Sequence, residues 1–587
     1  MMDLITHLSK VFAEAFEAEG FESRWGAVRR SDRPELADFQ CNGCMGAAKS
    51  NGLVPRDLAA KIALRVEGDS SIESVEVAGP GFLNIRVTSE ALSQQAEGVR
   101  ADDKAGGGAI AKPEKIVIDF GGPNVAKPMH VGHLRSAVIG DTLCRLFTFL
   151  GEDVTGDAHL GDWGLQMGHL ITELLGEQPD LVYFRPDFSE PYPEEPPVTI
   201  EDLGRLYPQA SAKAKADPAR NEASQLAVAE MQAGHPGYRA LLRHFIDVSV
   251  DALKIDYAFL GVEFDLWKGE SDVDGLIPGM VEDLKEKGLA KLDDGAWIID
   301  VARESDKKEM PPFMVINSRG GTGYHATDLA TIVDRVETLH PDRMLYVVDQ
   351  RQALHFEQVF RAADMAGLMS EDRLEHIGFG TVNGTDGKPF KTREGGVLRL
   401  ADLNRMALEE AEKRIGETGL SGDIGDEERA KIAALVARAA LRFADLMNVR
   451  TTNYVFDLER FTSFEGKTGP YLLYAAVRMK SLLRRATDAG NAPGKIRIES
   501  DTERALVLAL DGFANALEQS HAKRQPHILC EHVYSLAQAF SALYAAHPIA
   551  NEDDAGLRAS RLGLCQAVLK QLEAGLSILG IKAPERM

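Results

Sequence analysis

The spacing of apolar positions changes along this chain, and the changes mark its parts. Residues 3–19, DLITHLSKVFAEAFEAE, carry apolar side chains at helical spacing, as do residues 55–66. Between and after them, SIESVEVAG and GFLNIRV alternate as half-buried strands do. The pattern predicts a small α/β unit over residues 1–97, then a Gly-rich, charged linker over 98–114. At 115 the pattern becomes apolar run, loop, amphipathic helix. KIVIDF reads as a buried strand, and Leu134, Val138, Leu143 and Phe147 share or border one helix face. Strand–helix alternation over 115–400 predicts a doubly wound parallel sheet. It is interrupted by an insertion at about 176–222, whose Pro-rich, acidic stretch 186–203 promises little regular structure. From 401 to 587 the spacing is helical, as in 428–447 and 556–579, which predicts a helix bundle. No solenoid-type repeat is present.

A chain of 587 residues exceeds one core. No apolar run reaches membrane-span length, and the acidic N-terminus lacks the features of a signal peptide. Five cysteines do not make a disulfide framework. Cys41 and Cys44 form a lone C-x-x-C without further ligands, so packed thiols are expected and no structural metal. These features suit a reducing cytoplasm. The net charge of −24 argues mildly against nucleic acid as a partner. It is unevenly spread: residues 465–587 hold 15 Lys and Arg against 13 Asp and Glu, about +2, which leaves about −26 elsewhere.

The chemistry-bearing stretch follows KIVIDF. The loop carries Asn124, Lys127, His130, Gly132 and His133 and opens a helix. A strand, a small-residue loop and a helix N-terminus together form an anion site, with free N–H groups and a positive dipole end. Two histidines spaced H-x-G-H add donors for phosphate oxygens, and Gly132 lets a flat ring or phosphate approach the backbone.

PNVAKPMHVGHLRS resembles the ATP-binding signature of class I aminoacyl-tRNA synthetases, in the form used by the arginyl-tRNA synthetases. Further segments agree in order: ADFQCNGCMGAAKSNGLVPRDLAAKI, GDWGLQMG, GGTGYHATDLA, VVDQRQALHF, the segment FTSFEGKTGPYLLYAAVRMKSLL and the terminal PERM. The resemblance implies an α/β multidomain protein. It would have a small N-terminal additional domain contacting the tRNA elbow, a Rossmann-like catalytic domain and an all-α anticodon-binding bundle. It also implies an AMP-forming arginine–tRNA ligase, usually monomeric, with L-arginine, ATP·Mg²⁺ and tRNA(Arg) as substrates. Activation would require bound tRNA, and no obligate protein partner is implied.

Residue by residue, the resemblance gives His130, Gly132, His133 and Lys127 to ATP. Lys388, Lys391 and Arg393 of GKPFKTREGG stand in place of the usual K-M-S-K-S lysines. A guanidinium demands paired carboxylate acceptors. The arginine pocket would draw on Asp328 and Tyr324, four apart on one helix face, with Gln352, Glu270, Asp119, Asn124 and His159. GDWGLQMG also offers Gln166, although Ala158-His159 replaces the usual N-H pair. Asn84, beside Phe82, belongs to the elbow-contacting domain. Tyr471, Tyr474, Arg478, Tyr534, Tyr544 and Met587 would meet the anticodon loop, aromatic rings stacking on unpaired bases. A bundle core stripe accounts equally well for any single tyrosine. Another class I synthetase, a smaller H-x-G-H nucleotidyltransferase and a non-catalytic binding paralogue are the competing readings. The pocket residues and PERM argue against the first two. The intact His130, His133, Lys127 and Asp328 argue against the third.

Overall fold

A computed structural model describes residues 3–188, 191–318, 320–384, 387, 398–418 and 425–587. The chain divides into two compact units, one formed by the segments up to Ala109 and from Ser463 on, the other by the chain between them.

In the first unit, β1 (Val28–Arg30), β2 (Phe39–Cys41), β3 (Ile72–Ala78) and β4 (Phe82–Val87) form an antiparallel sheet in the order β1-β2-β4-β3. The C-terminal bundle comprises helices Gly469–Asp488, Asp501–Asp511, Phe513–Lys523, His527–Ala546 and Ala555–Ile578. Their starts are written locally. Thr468 accepts the Tyr471 N–H ahead of Pro470, and Ser500 with Glu503 makes a reciprocal capping box. The two ends of the chain share this unit. The Asp38 carboxylate receives the Arg504 guanidinium in a buried pair, and Asp511 Oδ1 accepts the Leu4 N–H at 2.8 Å. Helix Ser89–Ala101 packs on Ala555–Ile578, and Gln571 donates to the Ala105 carbonyl at 2.9 Å. Residues expected to form a linker from 98 are therefore part of the unit as far as Ala109. Cys41 and Cys44 are buried thiols, pushed up by burial to about 11 and about 12.

The second unit is built on β5 (Lys115–Phe120), β6 (Asp153–Leu160), β7 (Leu266–Gly269), β11 (Arg343–Val347) and β12 (Leu374–His376). All pair in parallel, in the order β12-β11-β5-β6-β7. Counted within this sheet, that is the doubly wound order, and its switch point lies between β5 and β11. Helix Val131–Leu150 crosses from β5 to β6 in close contact with the sheet. A Cβ on its Gly140 would lie 2.1 Å from the Phe120 ring. Helices Ile200–Ala216, Pro218–Gln232 and Pro236–Leu260 lie between β6 and β7. The described residues of the acidic Pro-rich stretch are irregular only up to Thr199, which caps the first of them. A three-stranded antiparallel sheet, β8 (Ala290–Asp293), β9 (Ala296–Ile299) and β10 (Phe313–Ile316), precedes helix Tyr324–Leu339.

Helices Leu400–Thr418 and Asp426–Leu446 belong to this unit, packing on Val131–Leu150 and Pro236–Leu260. The division thus falls at 462/463 instead of 400/401. Helical spacing predicts a helix but not which core its apolar face serves. Two buried ion pairs fix helix Asp426–Leu446 here: Arg135 with Asp445 at 3.1 Å, and Arg442 with Asp141 at 2.5 Å.

Candidate active site

The site lies beyond the carboxyl ends of β5, β6, β7 and β11. On leaving β5 the chain makes a short parallel bridge between Asn124 and Gly161. It then passes through Ala126 at φ 63°, whose N–H is held by Ser249 Oγ at 3.0 Å. His130 is the N-cap of helix Val131–Leu150 and forms a reciprocal box with His133. His130 Nδ1 accepts the Gly132 N–H at 3.0 Å, while the His130 N–H donates to His133 Nδ1 at 3.0 Å. Because both Nδ1 atoms accept, both neutral rings carry their proton on Nε2, on the side away from the helix turn. Burial lowers both pKa values, His133 to about 4 with help from the adjacent His130. The rings lie 4.0 Å apart over Gly132, where a Cβ would stand 2.7 Å from His130 Cε1. At neutral pH this helix end offers two uncharged Nε2–H donors at the positive end of its dipole, while its first N–H groups are already engaged by the Leu398 carbonyl, His130 Nδ1 and the His130 carbonyl.

Lys127 sits half-buried in the same loop, its ammonium 4.7 Å from the Tyr207 ring centroid. Tyr207 comes from the inserted helix Ile200–Ala216, and nothing in the motif announced it. Asn124 Oδ1 accepts from Gln166 Nε2 at 3.2 Å, which ties the β5 and β6 loops together. Lys388, Lys391 and Arg393 lie outside the described residues.

At the carboxyl ends of β5 and β6 the site is acidic. Asp119 and Asp157 are direct neighbours on β5 and β6, an arrangement that repulsion disfavours. Arg335 resolves it, donating to Asp119 Oδ2 at 2.6 Å and to Asp157 Oδ2 at 2.7 Å from a fully buried guanidinium. Asp119, expected to contact substrate directly, is therefore half committed to this internal ion pair. Burial raises its pKa despite Arg335. Arg335 was legible only indirectly: Thr327, Thr331 and Arg335 form a polar, buried row at four-residue spacing on helix Tyr324–Leu339.

The same helix gathers the other expected pocket residues. Tyr324 and Asp328 lie one turn apart at its start, and His159 Nε2 lies 3.3 Å from Thr331 Oγ1. Glu270, at the end of β7, is pushed up to about 7 by burial and by the charges of Asp328 and Asp162, although it accepts the Trp163 N–H. His355, not singled out in the sequence, bonds Asp328 Oδ2 at 2.5 Å and packs 4.9 Å from the Tyr324 ring. Gln352 is exposed in the short turn just before the helix that carries His355. Asp119, His159, Glu270, Tyr324 and Asp328 thus converge, with His355 added, on a pocket of excess negative charge.

The candidate tRNA residues lie in the first unit. Arg478 Nη2 donates to Tyr474 OH at 2.7 Å, and its guanidinium lies 4.6 Å from the Tyr474 ring and 5.1 Å from the Tyr544 ring. Tyr471 and Tyr534 form a second aromatic pair, with centroids 5.6 Å apart. Lys480 ties the terminal segment that ends at Met587 to this helix through Glu585, at 2.7 Å. Asn84 lies beside Gln40 on the N-terminal sheet, accepting from it at 2.9 Å.

A doubly wound sheet with a reciprocally capped H-x-G-H at its switch point, followed by a helix bundle, defines a class I aminoacyl-tRNA synthetase. The comparisons with known proteins agree. The model for "tRNA synthetases class I (R), catalytic domain" matches residues 97–458. The "Arginyl tRNA synthetase N terminal domain" matches 2–87, and the "DALR anticodon binding domain" matches 472–587. The chain belongs to the arginyl-tRNA synthetases. The arginine–tRNA ligase of Hyphomonas neptunium is 68% identical and that of Maricaulis maris 58%, each alignment covering 100% of both chains. The solved arginyl-tRNA synthetases of Plasmodium falciparum and Thermus thermophilus share the fold, each at a TM-score of 0.80 over the full length of both chains, with 22% and 23% identity.

Proposed function

We propose that the arginine–tRNA ligase activity of this chain runs through the two halves of the switch point, with ATP phosphates on the histidine side and the arginine side chain on the acidic side. The observation that carries this reading is the reciprocal His130–His133 cap that follows β5, on the same carboxyl edge of the sheet as Glu270, which follows β7 and lies near Asp328. An arginine carboxylate oxygen attacks the ATP α-phosphorus, forming arginyl-adenylate and releasing pyrophosphate. A hydroxyl of the tRNA terminal ribose then attacks the activated carbonyl and releases AMP. Neither step needs covalent help from the protein; both need alignment and neutralisation of developing negative charge.

His130 and His133 donate Nε2–H to phosphate oxygens, joined by the helix N-terminus and by Lys127, which leaves the Tyr207 ring for the α-phosphate. Lys388, Lys391 and Arg393 take the pyrophosphate, and Mg²⁺ arrives with ATP as part of the substrate. Asp328 and Glu270 receive the guanidinium, Tyr324 covers it, and Asp119, Asn124, His159 and Gln352 line the remainder. Tyr474, Arg478 and Tyr544, with Tyr471, Tyr534 and Met587, engage unpaired anticodon-loop bases, and Asn84 faces the elbow. Activation depends on bound tRNA(Arg). Five free thiols suit a cytoplasmic setting.

The test is arginine-dependent ATP–pyrophosphate exchange with and without tRNA. Exchange only when both arginine and tRNA are present supports the whole reading. Exchange with arginine alone removes the tRNA requirement. No exchange by folded protein at saturating ATP·Mg²⁺ removes the catalytic assignment.

A further inference from the structure

Asp328 carries the guanidinium in the reading above, and the following inference rests on that reading. A carboxylate at the second turn of a helix rotates about a broad, nearly two-fold torsion. A guanidinium accepts no such freedom, because two parallel N–H···O bonds require the carboxylate plane to match its own. Something must hold Asp328 in that plane before arginine arrives.

We propose that His355 is a positioning and specificity-determining residue that fixes the Asp328 carboxylate as a planar fork for the arginine guanidinium. A carboxylate only accepts, so His355 Nε2 carries the proton and donates it to Asp328 Oδ2, 2.5 Å away. The ring cannot swing, because it is clamped by Tyr324 at 4.9 Å, His325 at 4.8 Å and Phe356 at 5.3 Å between centroids. His355 Nδ1 is buried without a hydrogen-bond partner, so the ring forgoes one bond where it stands. A histidine selected only to fill space between aromatic rings has no need of that cost, whereas one that must aim Nε2 at a carboxylate does. With Oδ2 engaged on one side, Oδ1 and the remaining face of Oδ2 are left for the substrate. Tyr324 packs on the same ring, so one residue orders both the fork and its aromatic cover. A fixed fork favours a planar guanidinium over an ammonium, which needs no matched plane.

The experiment measures arginine and ATP KM at saturating tRNA for His355→Ala, His355→Gln and Asp328→Ala. In His355→Ala, arginine KM is expected to rise about tenfold to a hundredfold, the loss of a hydrogen bond to a charged group, with ATP KM unchanged. Glutamine can place an amide N–H where Nε2 stood, so His355→Gln restores arginine KM to within about threefold of the unmodified protein. Unchanged arginine KM in His355→Ala overturns the proposal, as does an equal rise in ATP KM. If His355→Gln is no better than His355→Ala, packing is all that the ring supplies, and the proposal falls. Asp328→Ala separates the two readings. If it leaves arginine KM unchanged, the pocket assignment itself fails; if it abolishes arginine use while His355→Ala does nothing, only the His355 role fails.

Discussion

Arg135 and Asp445 form an ion pair with both side chains almost fully excluded from solvent, Nε to Oδ2 at 3.1 Å. Arg135 stands two residues beyond His133, so the pair joins the first turns of the histidine-bearing helix to helix Asp426–Leu446. The same guanidinium donates to the Gly380 and Thr452 carbonyls, each at 2.9 Å, and Tyr454 OH donates to Asp445 at 3.0 Å. Removing one partner strands a buried charge. Arg135→Met is expected to cost about 3–5 kcal/mol in urea denaturation of the full chain. The double variant Arg135→Met, Asp445→Leu should regain much of that loss, because replacing both charges by apolar groups removes the stranded one. A double variant as unstable as the single one would show that the pair acts through the carbonyl contacts instead.

Gly132→Ala tests the histidine cap. The added methyl would stand 2.7 Å from His130 Cε1 and 2.8 Å from Nδ1, so the ring must leave its place on the helix end. A shift of about 1 Å in a positioning group costs about a hundredfold in rate. ATP–pyrophosphate exchange should fall by that order, while arginine protection of the protein against thermal unfolding, measured with saturating tRNA, persists. Loss of both would place the defect in the fold of the loop.

Most of the scaffold and half of the site were readable from residue order. The H-x-G-H cap, the Tyr324–Asp328 spacing and the strand before them are local patterns, and local patterns survive in one dimension. What escaped notice joins distant segments. Arg335 neutralises Asp119 and Asp157 across two strands, and His355 reaches Asp328 from another helix, yet each looks like an ordinary polar helix residue. The helices over 400–446 were legible as helices. The attachment of Asp426–Leu446 to the catalytic unit rests on Asp141 and Asp445 finding Arg442 and Arg135, a match no periodicity encodes.

If Glu270 receives the guanidinium as proposed, arginine binding depends on pH. Burial, reinforced by Asp328 and Asp162, raises it to about 7, so the empty pocket holds a proton through mildly acidic pH. A guanidinium requires the ionised form, so binding expels that proton. The ionised fraction falls about tenfold from pH 8 to pH 6, and arginine KM should rise by about the same factor. For folding the sign is opposite. A carboxyl raised in the folded state contributes stability that is complete below its ordinary value and is lost as pH rises through about 7. Glu270→Gln should flatten the arginine KM profile while raising KM at pH 8. A profile of unchanged steepness in Glu270→Gln would assign the titration to another group.

Arg478 is the sharpest test of the bundle. Its guanidinium lies against both Tyr474 and Tyr544, from helices Gly469–Asp488 and His527–Ala546, and donates to the Tyr474 hydroxyl. A core arginine would be enclosed, whereas this one is half-buried, with rings and charge still open to a ligand. Stacking and cation–π contacts to an unpaired base are worth about 1–3 kcal/mol each, so Arg478→Ala should raise the KM for tRNA at least about fivefold. Arginine and ATP KM, measured at tRNA concentrations that saturate the variant, should not change. Arg478→Lys keeps the charge but loses the planar stack, and should recover less than half of the loss in free energy. Full recovery with lysine would mean that the residue serves as a point charge for phosphate, and that the tyrosines beside it belong to the bundle's core and not to base recognition.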